Sequence, residues 1–291
     1  MANIYMRIIS WNINSVRART SRLLALLKRH NPDILCLQET KVTDQKFPEA
    51  QLSTAGYHSI LYGQTSYNGV AMLVRGKSKQ YNLMNTSEKI TAAPSGVNNL
   101  EFSEVIRGFP KDPVPKEARV ISACIGGLRL VNVYVINGED KASDKFQLKK
   151  HWMGAFGDWL QNLPDSPPLL VMGDFNVAPG DYDVWDPKGL KDRTHCTPEE
   201  RNWLKKLQGK RLHDILRTKT HERVFTWWPY MRDGFDRDEG LRFDLVLGDK
   251  NAVNLVDKIW VDKEERIPVG HLEAPSDHAP IIIDINEKIL K

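Results

Sequence analysis

Nine short runs dominated by apolar and β-branched residues recur along the chain: RIISWN (7–12), DILCLQ (33–38), YHSILY (57–62), GVAMLVR (69–75), RVISACI (119–125), LRLVNVYV (128–135), PLLVMGD (168–174), RFDLVLG (242–248) and APIIIDI (279–285). Several are almost continuously apolar, as strands covered on both faces must be. Helical periodicity fills the gaps. Residues 18–30 carry Leu23, Leu24, Leu26 and Leu27 with basic residues opposite, and residues 144–163 open on an Asp-x-x-Gln cap signal and repeat large apolar side chains at helical spacing. A third helix is expected to start at Thr197-Pro198-Glu199-Glu200, where a Thr cap, Pro in the first turn and Glu three residues on agree.

No Gly/Ser or Pro-rich linker divides the chain and no fixed-period repeat is visible, so residues 1–291 read as one domain. The least regular stretch, 85–117, contains Pro94, Pro110, Pro113 and Pro115 and is expected to be a surface insertion.

With 41% hydrophobic residues the chain can bury a substantial core. No run approaches the apolar length that crosses a bilayer, and the start lacks the pattern of a secretory signal. Cys36, Cys124 and Cys196 lie far apart, which argues against a zinc site or disulfide framework and fits a reducing cytoplasm. The net charge is only +4, but residues 188–223 hold eleven Lys/Arg against five Asp/Glu. That lobe is expected to be cationic and suited to a polyanion such as a phosphate backbone.

The chemically interesting residues sit where apolar strands end: Asn12 and Asn14, Glu39, Tyr134, Asp174 and Asn176, Asp244 within its run, and Asp277 with His278 before the last run. A carboxylate abutting an apolar strand needs a partner or solvent, because burying a lone charge costs several kcal/mol, roughly. Asn12, Glu39, Asp174, Asn176 and Asp277 offer oxygen and none offers a thiol, a donor set that suits Mg2+ or Mn2+. His278 beside Asp277, with Asp244 to fix its tautomer, is equipped for proton transfer or for stabilising a charged phosphorus centre.

The motifs SWNINSVRAR, PDILCLQETK, YNGVAML, VNVYVINGE, GDFNVAP, GLRFDLVLGD and PSDHAP occur in the order and approximate spacing of the exonuclease III family of DNA-repair nucleases, which the whole chain resembles. The resemblance implies an α/β fold, a four-layer αββα sandwich with two central mixed sheets flanked by helices, and Mg2+-dependent phosphodiester hydrolysis, with Mn2+ as a substitute. It also implies roles. Glu39 resembles the principal metal ligand, helped by Asn12 and Asp277, with Asp174, Asn176 and His278 also about the metal. Asp174 corresponds to the residue that orients or deprotonates the attacking water, Asn176 to a stabiliser of the pentacovalent phosphorus, and Tyr134 and the His278–Asp244 dyad to contacts of the scissile phosphate. Trp227, Leu241 and Phe243 match an apolar pocket for a baseless sugar, and Arg17, Asn68 and Asn137 match phosphate contacts.

The expected partner is duplex DNA with 3′ ends, gaps or abasic sites, worked on by a monomer in the cytoplasm, against the nucleoid in a bacterium. Three departures from the family pattern stand out: Ile136 where a proline is common, the 85–117 insertion, and His195 where relatives carry a small residue. The bulk of His195 is expected to favour 3′ ends and gaps over internal abasic sites. Two other readings share the metal set: a phosphoinositide or sphingolipid phosphodiesterase, and a non-catalytic DNA-binding relative.

Overall fold

The computed structural model describes residues 5–76 and 100–286. Twelve strands form two six-stranded sheets. The first runs β11 (Val256–Val261), β12 (Ile281–Asn286), β1 (Tyr5–Asn12), β2 (Ile34–Gln38), β4 (Val70–Arg75), β3 (Tyr57–Tyr62). The second runs β5 (Phe102–Arg107), β6 (Val120–Ile125), β7 (Leu128–Tyr134), β8 (Leu169–Asp174), β10 (Asp244–Gly248), β9 (His213–Asp214). Each sheet has one parallel pair, β1 with β2 and β7 with β8, and each pair is joined through a helix as a parallel connection requires: α1 (Thr20–His30) and α3 (Asp144–Gln161).

Three apolar layers make the four-layer αββα sandwich. Met6, Ile34, Met72, Leu130, Met172 and Val246 belong to the layer shared by the two sheets. Leu23, Leu26 and Leu27 of α1 and Leu52 of the short α2 (Glu49–Thr54) pack on the first sheet with Trp11. Trp152 and Phe156 of α3, with Leu204 of α4 (Pro198–Gln208), pack on the second. The nearly continuous apolar strands are thus the ones sandwiched between layers. Two short helices, α5 (Ile215–Lys219) and α6 (Lys250–Leu255), flank β10. No helix among the described residues is long and apolar enough to cross a membrane.

The structure refines several expectations. The cap of α3 is Ser143, whose side chain accepts from Phe146 N–H, one residue before the expected aspartate. Thr197 does form a reciprocal capping box with Glu200. Within the stretch expected to be an insertion, 85–99 lies outside the described residues, whereas 102–107 forms the edge strand β5 and Phe109 is buried against Trp152, Phe156 and Trp159. A half-exposed edge strand has little continuous apolar signal, and Pro110, Pro113 and Pro115 follow it. Ile136, where the family carries proline, is buried in the layer beneath α3.

A buried polar bridge ties the two sheets. Asn132 of β7 donates to the carbonyls of Leu37 in β2 and Ala71 in β4, both at 2.9 Å, and accepts from Gln38 Nε2 at 2.7 Å. Gln38 also donates to Ser10 of β1 at 3.0 Å. Asn132→Ala takes the amide donor from the Leu37 and Ala71 carbonyls and one acceptor from Gln38, which keeps Ser10, so chemical denaturation should show a loss of about 2–4 kcal/mol. A loss within experimental error of zero would mean the bridge adds nothing to sheet association.

Candidate active site

The carboxyl ends of the two parallel pairs open at the same edge, where α/β sheets bind ligands. Asn12 ends β1, Glu39 follows β2, Tyr134 ends β7 and Asp174 ends β8. Antiparallel β10 begins there with Asp244, paired in register with Asp174. Two carboxylates directly opposite each other repel. His278 relieves this, with Nδ1 2.8 Å from Asp244 Oδ2 and Nε2 3.7 Å from Asp174 Oδ2.

Local backbone shape aims these groups. Gly173 sits at φ 147°, and a Cβ there would lie 2.0 Å from the Val133 carbonyl oxygen, so only glycine lets β8 run against β7 just before Asp174. Asn14, Glu39, Lys41, Asn68, Asn176 and His195 all hold left-handed backbone with φ of 47–76°. Such conformations are unfavourable for these residue types and gather where surrounding structure enforces them. Ser276 fixes the final turn: its hydroxyl donates to the Asn12 carbonyl at 2.7 Å and accepts from His278 N–H.

Asn12 Nδ2 lies 2.7 Å from Glu39 Oε1 and 2.9 Å from Asp174 Oδ2, bridging the two acids. Its oxygen accepts from the Asn14 backbone, so Asn12 faces the acids as a donor. Lys41 Nζ pairs with Glu39 at 2.8 Å and donates to Asn14. The Tyr134 hydroxyl bonds Glu39; burial, with Glu39 and Asp174, keeps it protonated well above the usual phenol range. Asn176 N–H donates to Asp174 Oδ1 at 2.8 Å, its amide donates to Val135 O, and its Oδ1 accepts from Asn137.

The electrostatics follow from crowding. Burial, reinforced by Asp244 and Glu39, pushes Asp174 up to about 7 against the pull of His278 and Asn12. Burial alone would lower His278, but Asp244 and Asp174 outweigh it and push it up to about 10, so the ring is an imidazolium in this arrangement. Glu39, Asp174 and His278 place one ligand atom each within 4.8 Å of one another. A cation here would be held by the carboxylates Glu39 and Asp174, with the protonated His278 as a neighbouring donor. Excess buried negative charge and oxygen donors fit a hard divalent ion.

Other candidates stand further out. Asp277 lies outside that tight group: its oxygens accept from Asn14 Nδ2 at 2.9 Å and Trp227 Nε1 at 3.0 Å, which, with His278, hold its carboxyl below the ordinary range despite burial. Trp227 bridges to both Leu241 and His278, and its ring centroid is 5.2 Å from that of Phe243. Trp228 is fully buried and belongs to the core. His195 packs against Phe243 with ring centroids 4.8 Å apart and planes tilted by 56°, and shares a 2.7 Å hydrogen bond with the Asn176 carbonyl. Burial and Lys149 push it down to about 3, so it is neutral. Asn68 is buried beside Lys41, whose N–H donates to its carbonyl, whereas Arg17 is exposed on a 3-10 turn (Arg17–Arg19).

Buried cations that no residue pattern announces brace these loops. Arg22 donates to the carbonyls of Glu265, Ile267 and Glu273, and Arg19 to those of Asn14 and Pro275. In the basic 188–223 stretch, Arg201, Arg211, Arg217 and Arg223 donate to backbone carbonyls, so only part of that charge faces solvent.

Residues 9–278 match the Endonuclease/Exonuclease/phosphatase family. The chain is 33% identical to exodeoxyribonuclease III of Haemophilus influenzae, over 95% of this chain and 98% of that protein. It is 30% identical to the DNA repair nuclease APEX1 of Danio rerio, over 96% and 81%. Among solved structures, the 3′ phosphatase NExo from Neisseria, bound to a product DNA hairpin, superposes with a TM-score of 0.83 at 34% identity, covering 96% of this chain and 99% of that one. An AP endonuclease from Archaeoglobus fulgidus gives 0.83 at 31% identity, covering 97% and 99%. Matched by that family over residues 9–278 and 33% identical to an exodeoxyribonuclease III over 95% of its length, the chain belongs to the endonuclease/exonuclease/phosphatase family, on its exonuclease III side.

Proposed function

We propose that the chain is a divalent-cation-dependent DNA-repair phosphodiesterase that trims and cleans 3′ ends of duplex DNA and incises internal abasic sites poorly. The observation that carries this is the convergence of Glu39, Asp174 and His278 within 4.8 Å, beside an apolar wall that His195 narrows. Bound at Glu39 and Asp174, Mg2+, or Mn2+ in its place, would offset the phosphate charge and acidify the attacking water.

The protein's own groups do the rest. Asp174, held at Oδ1 by Asn176 N–H, presents Oδ2 to take the water proton as the new P–O bond forms and the leaving oxygen departs with the electron pair of the old one. His278, kept charged by Asp244, and the protonated Tyr134 donate to the phosphate oxygens, whose negative charge grows in the transition state. Trp227, Leu241 and Phe243 offer a baseless sugar an apolar wall, and Arg17, Asn68 and Asn137 stand where flanking phosphates pass. Asp277 acts through Trp227 and Asn14, setting the wall and the first loop.

The substrate is duplex DNA with a 3′ end or gap. All three cysteines are free, which supports work in a reducing cytoplasm, against the nucleoid in a bacterium. The edge strands β5 and β11 both carry register shifts, which blunt edge-to-edge pairing and support a monomer.

Incubated with end-labelled recessed duplex, the protein should release nucleotides with Mg2+ and stop with chelator; a soluble inositol phosphate should survive. Asp174→Asn should slow release roughly 10²–10⁴-fold. Cleavage of the inositol phosphate alone, or unchanged release by the variant, would overturn the nuclease assignment.

His195 adopts φ 76°, a conformation glycine accepts without strain. His195→Gly should therefore raise internal abasic incision, relative to 3′-end release, by about tenfold. An unchanged ratio on matched substrates would remove His195 from substrate choice.

A further inference from the structure

Among the described residues, Lys149 of α3 is the one buried ammonium, with no exposed side-chain surface, and the reaction outlined above makes no use of it. Its Nζ donates to three oxygens: the carbonyl of Asn137 at 3.2 Å, the carbonyl of Asn176 at 2.7 Å, and Glu200 Oε1 at 2.5 Å. That uses all three N–H bonds of an ammonium. The other Glu200 oxygen closes the capping box of α4 with Thr197.

Two features make this more than a buried ion pair. The loop above is shaped around the lysine: Gly138 holds φ 91°, and a Cβ there would sit 3.0 Å from Lys149 Cδ. The two carbonyls also belong to loops that meet at the reacting end of the sheet, where Asn137 donates to Asn176 and Asn176 N–H holds Asp174 Oδ1. The Asn176 carbonyl further pairs with His195. One ammonium therefore fixes the backbone that orients Asp174 and the ring that narrows the apolar wall.

We propose that Lys149 is a positioning residue of the active site, pinning the Asn137 and Asn176 loops so that Asp174 stays aligned, while Glu200 serves to neutralise it. The function assigned to Lys149 rests on the nuclease reading above, but the pinning itself does not.

Replacing a buried charge pair by apolar residues can leave stability intact, whereas removing one partner strands the other. The double change Lys149→Met with Glu200→Leu should melt below the parent, because the Asn137 carbonyl and the Thr197 cap lose partners, but above the single change Lys149→Met, and should turn over recessed duplex about a hundredfold more slowly, with KM within about threefold, as small misalignments at a reacting centre do. Glu200→Gln, which keeps the contacts to both carbonyls, should lower the melting temperature but retain kcat within about threefold of the parent. Amide hydrogen exchange gives a readout without substrate. In the double variant the Asn176 amide should exchange about tenfold faster while β8 amides keep their parent rates, since local opening is read separately from global unfolding.

Parent-like kcat and Asn176 exchange in the double variant would overturn the proposal. So would a loss of kcat in Glu200→Gln as large as that of Lys149→Met, and this arm decides the matter if the double variant does not fold. If the parent leaves DNA intact, the nuclease reading falls and Asn176 exchange still decides whether Lys149 pins the loop.

Discussion

The site exists because two separately hydrogen-bonded sheets are locked at one relative register, and buried carboxamides, Asn132 in the middle of the sheets and Asn12 at their end, supply the direction. Apolar side chains between the sheets give cohesion without direction, since a hydrophobic layer tolerates sliding. Asn132 does not. Its three bonds to β2 and β4 are satisfied at one offset only, and a slip strands buried amide and carbonyl groups at about 1–3 kcal/mol each. Gln38 immediately precedes Glu39, and Asn132 lies two residues before Tyr134, so the same register brings Glu39 to the Tyr134 hydroxyl and within reach of Asp174.

Given that register, the energetic problem at the strand ends is an excess of negative charge. Glu39, Asp174 and Asp244 converge with one imidazole among them, and Lys41 answers Glu39 from the side. His278 lies between the paired carboxylates of β8 and β10 and is charged because of them. Asp174, the most enclosed, retains its proton into the neutral range. A cation held by Glu39 and Asp174 would relieve this frustration by favouring the carboxylate form of Asp174, so the raised pKa of Asp174 and the fit to a divalent ion arise from the same crowding. Six left-handed residues around the rim are the conformational counterpart: strain tolerated because packed loops leave no alternative.

Much of this was legible from residue order. The strands appear as apolar runs because they are covered on both faces, and the reactive residues were found by asking which polar groups terminate such runs. Three of the four edge strands among the described residues escaped that logic, β3 being the exception. β5 is half exposed, β9 is two residues long, and β11 mixes Asp257 and Lys258 into its run, so none carries a periodic signal. Side-chain direction escaped as well. Sequence places Asn12 and Asp277 beside the metal set, but whether an amide presents oxygen or nitrogen, and whether an acid faces the ion or a tryptophan, depends on partners distant in the chain. Arg242, two residues before Asp244, pairs with Asp183 and Asp214 and leaves Asp244 to His278.

The basic residues show most clearly why charge counts mislead. Counted along the chain, 188–223 is a cationic track, and α1 carries a basic face suited to solvent. Folded, Arg22 on that face is buried and gathers the carbonyls of the 265–273 segment, while Arg211 collects those of Leu160 and Leu163 at the end of α3. A guanidinium meets several carbonyl oxygens at once, satisfying irregular backbone that no helix or sheet can pair. Loops that carry catalytic groups are of that irregular kind, so a site built on them needs internal cations as architecture. A polyanion laid along this lobe would meet only the residual charge, chiefly exposed lysines such as Lys188 and Lys191, and its attraction would be weaker and more sensitive to salt than the sequence total implies.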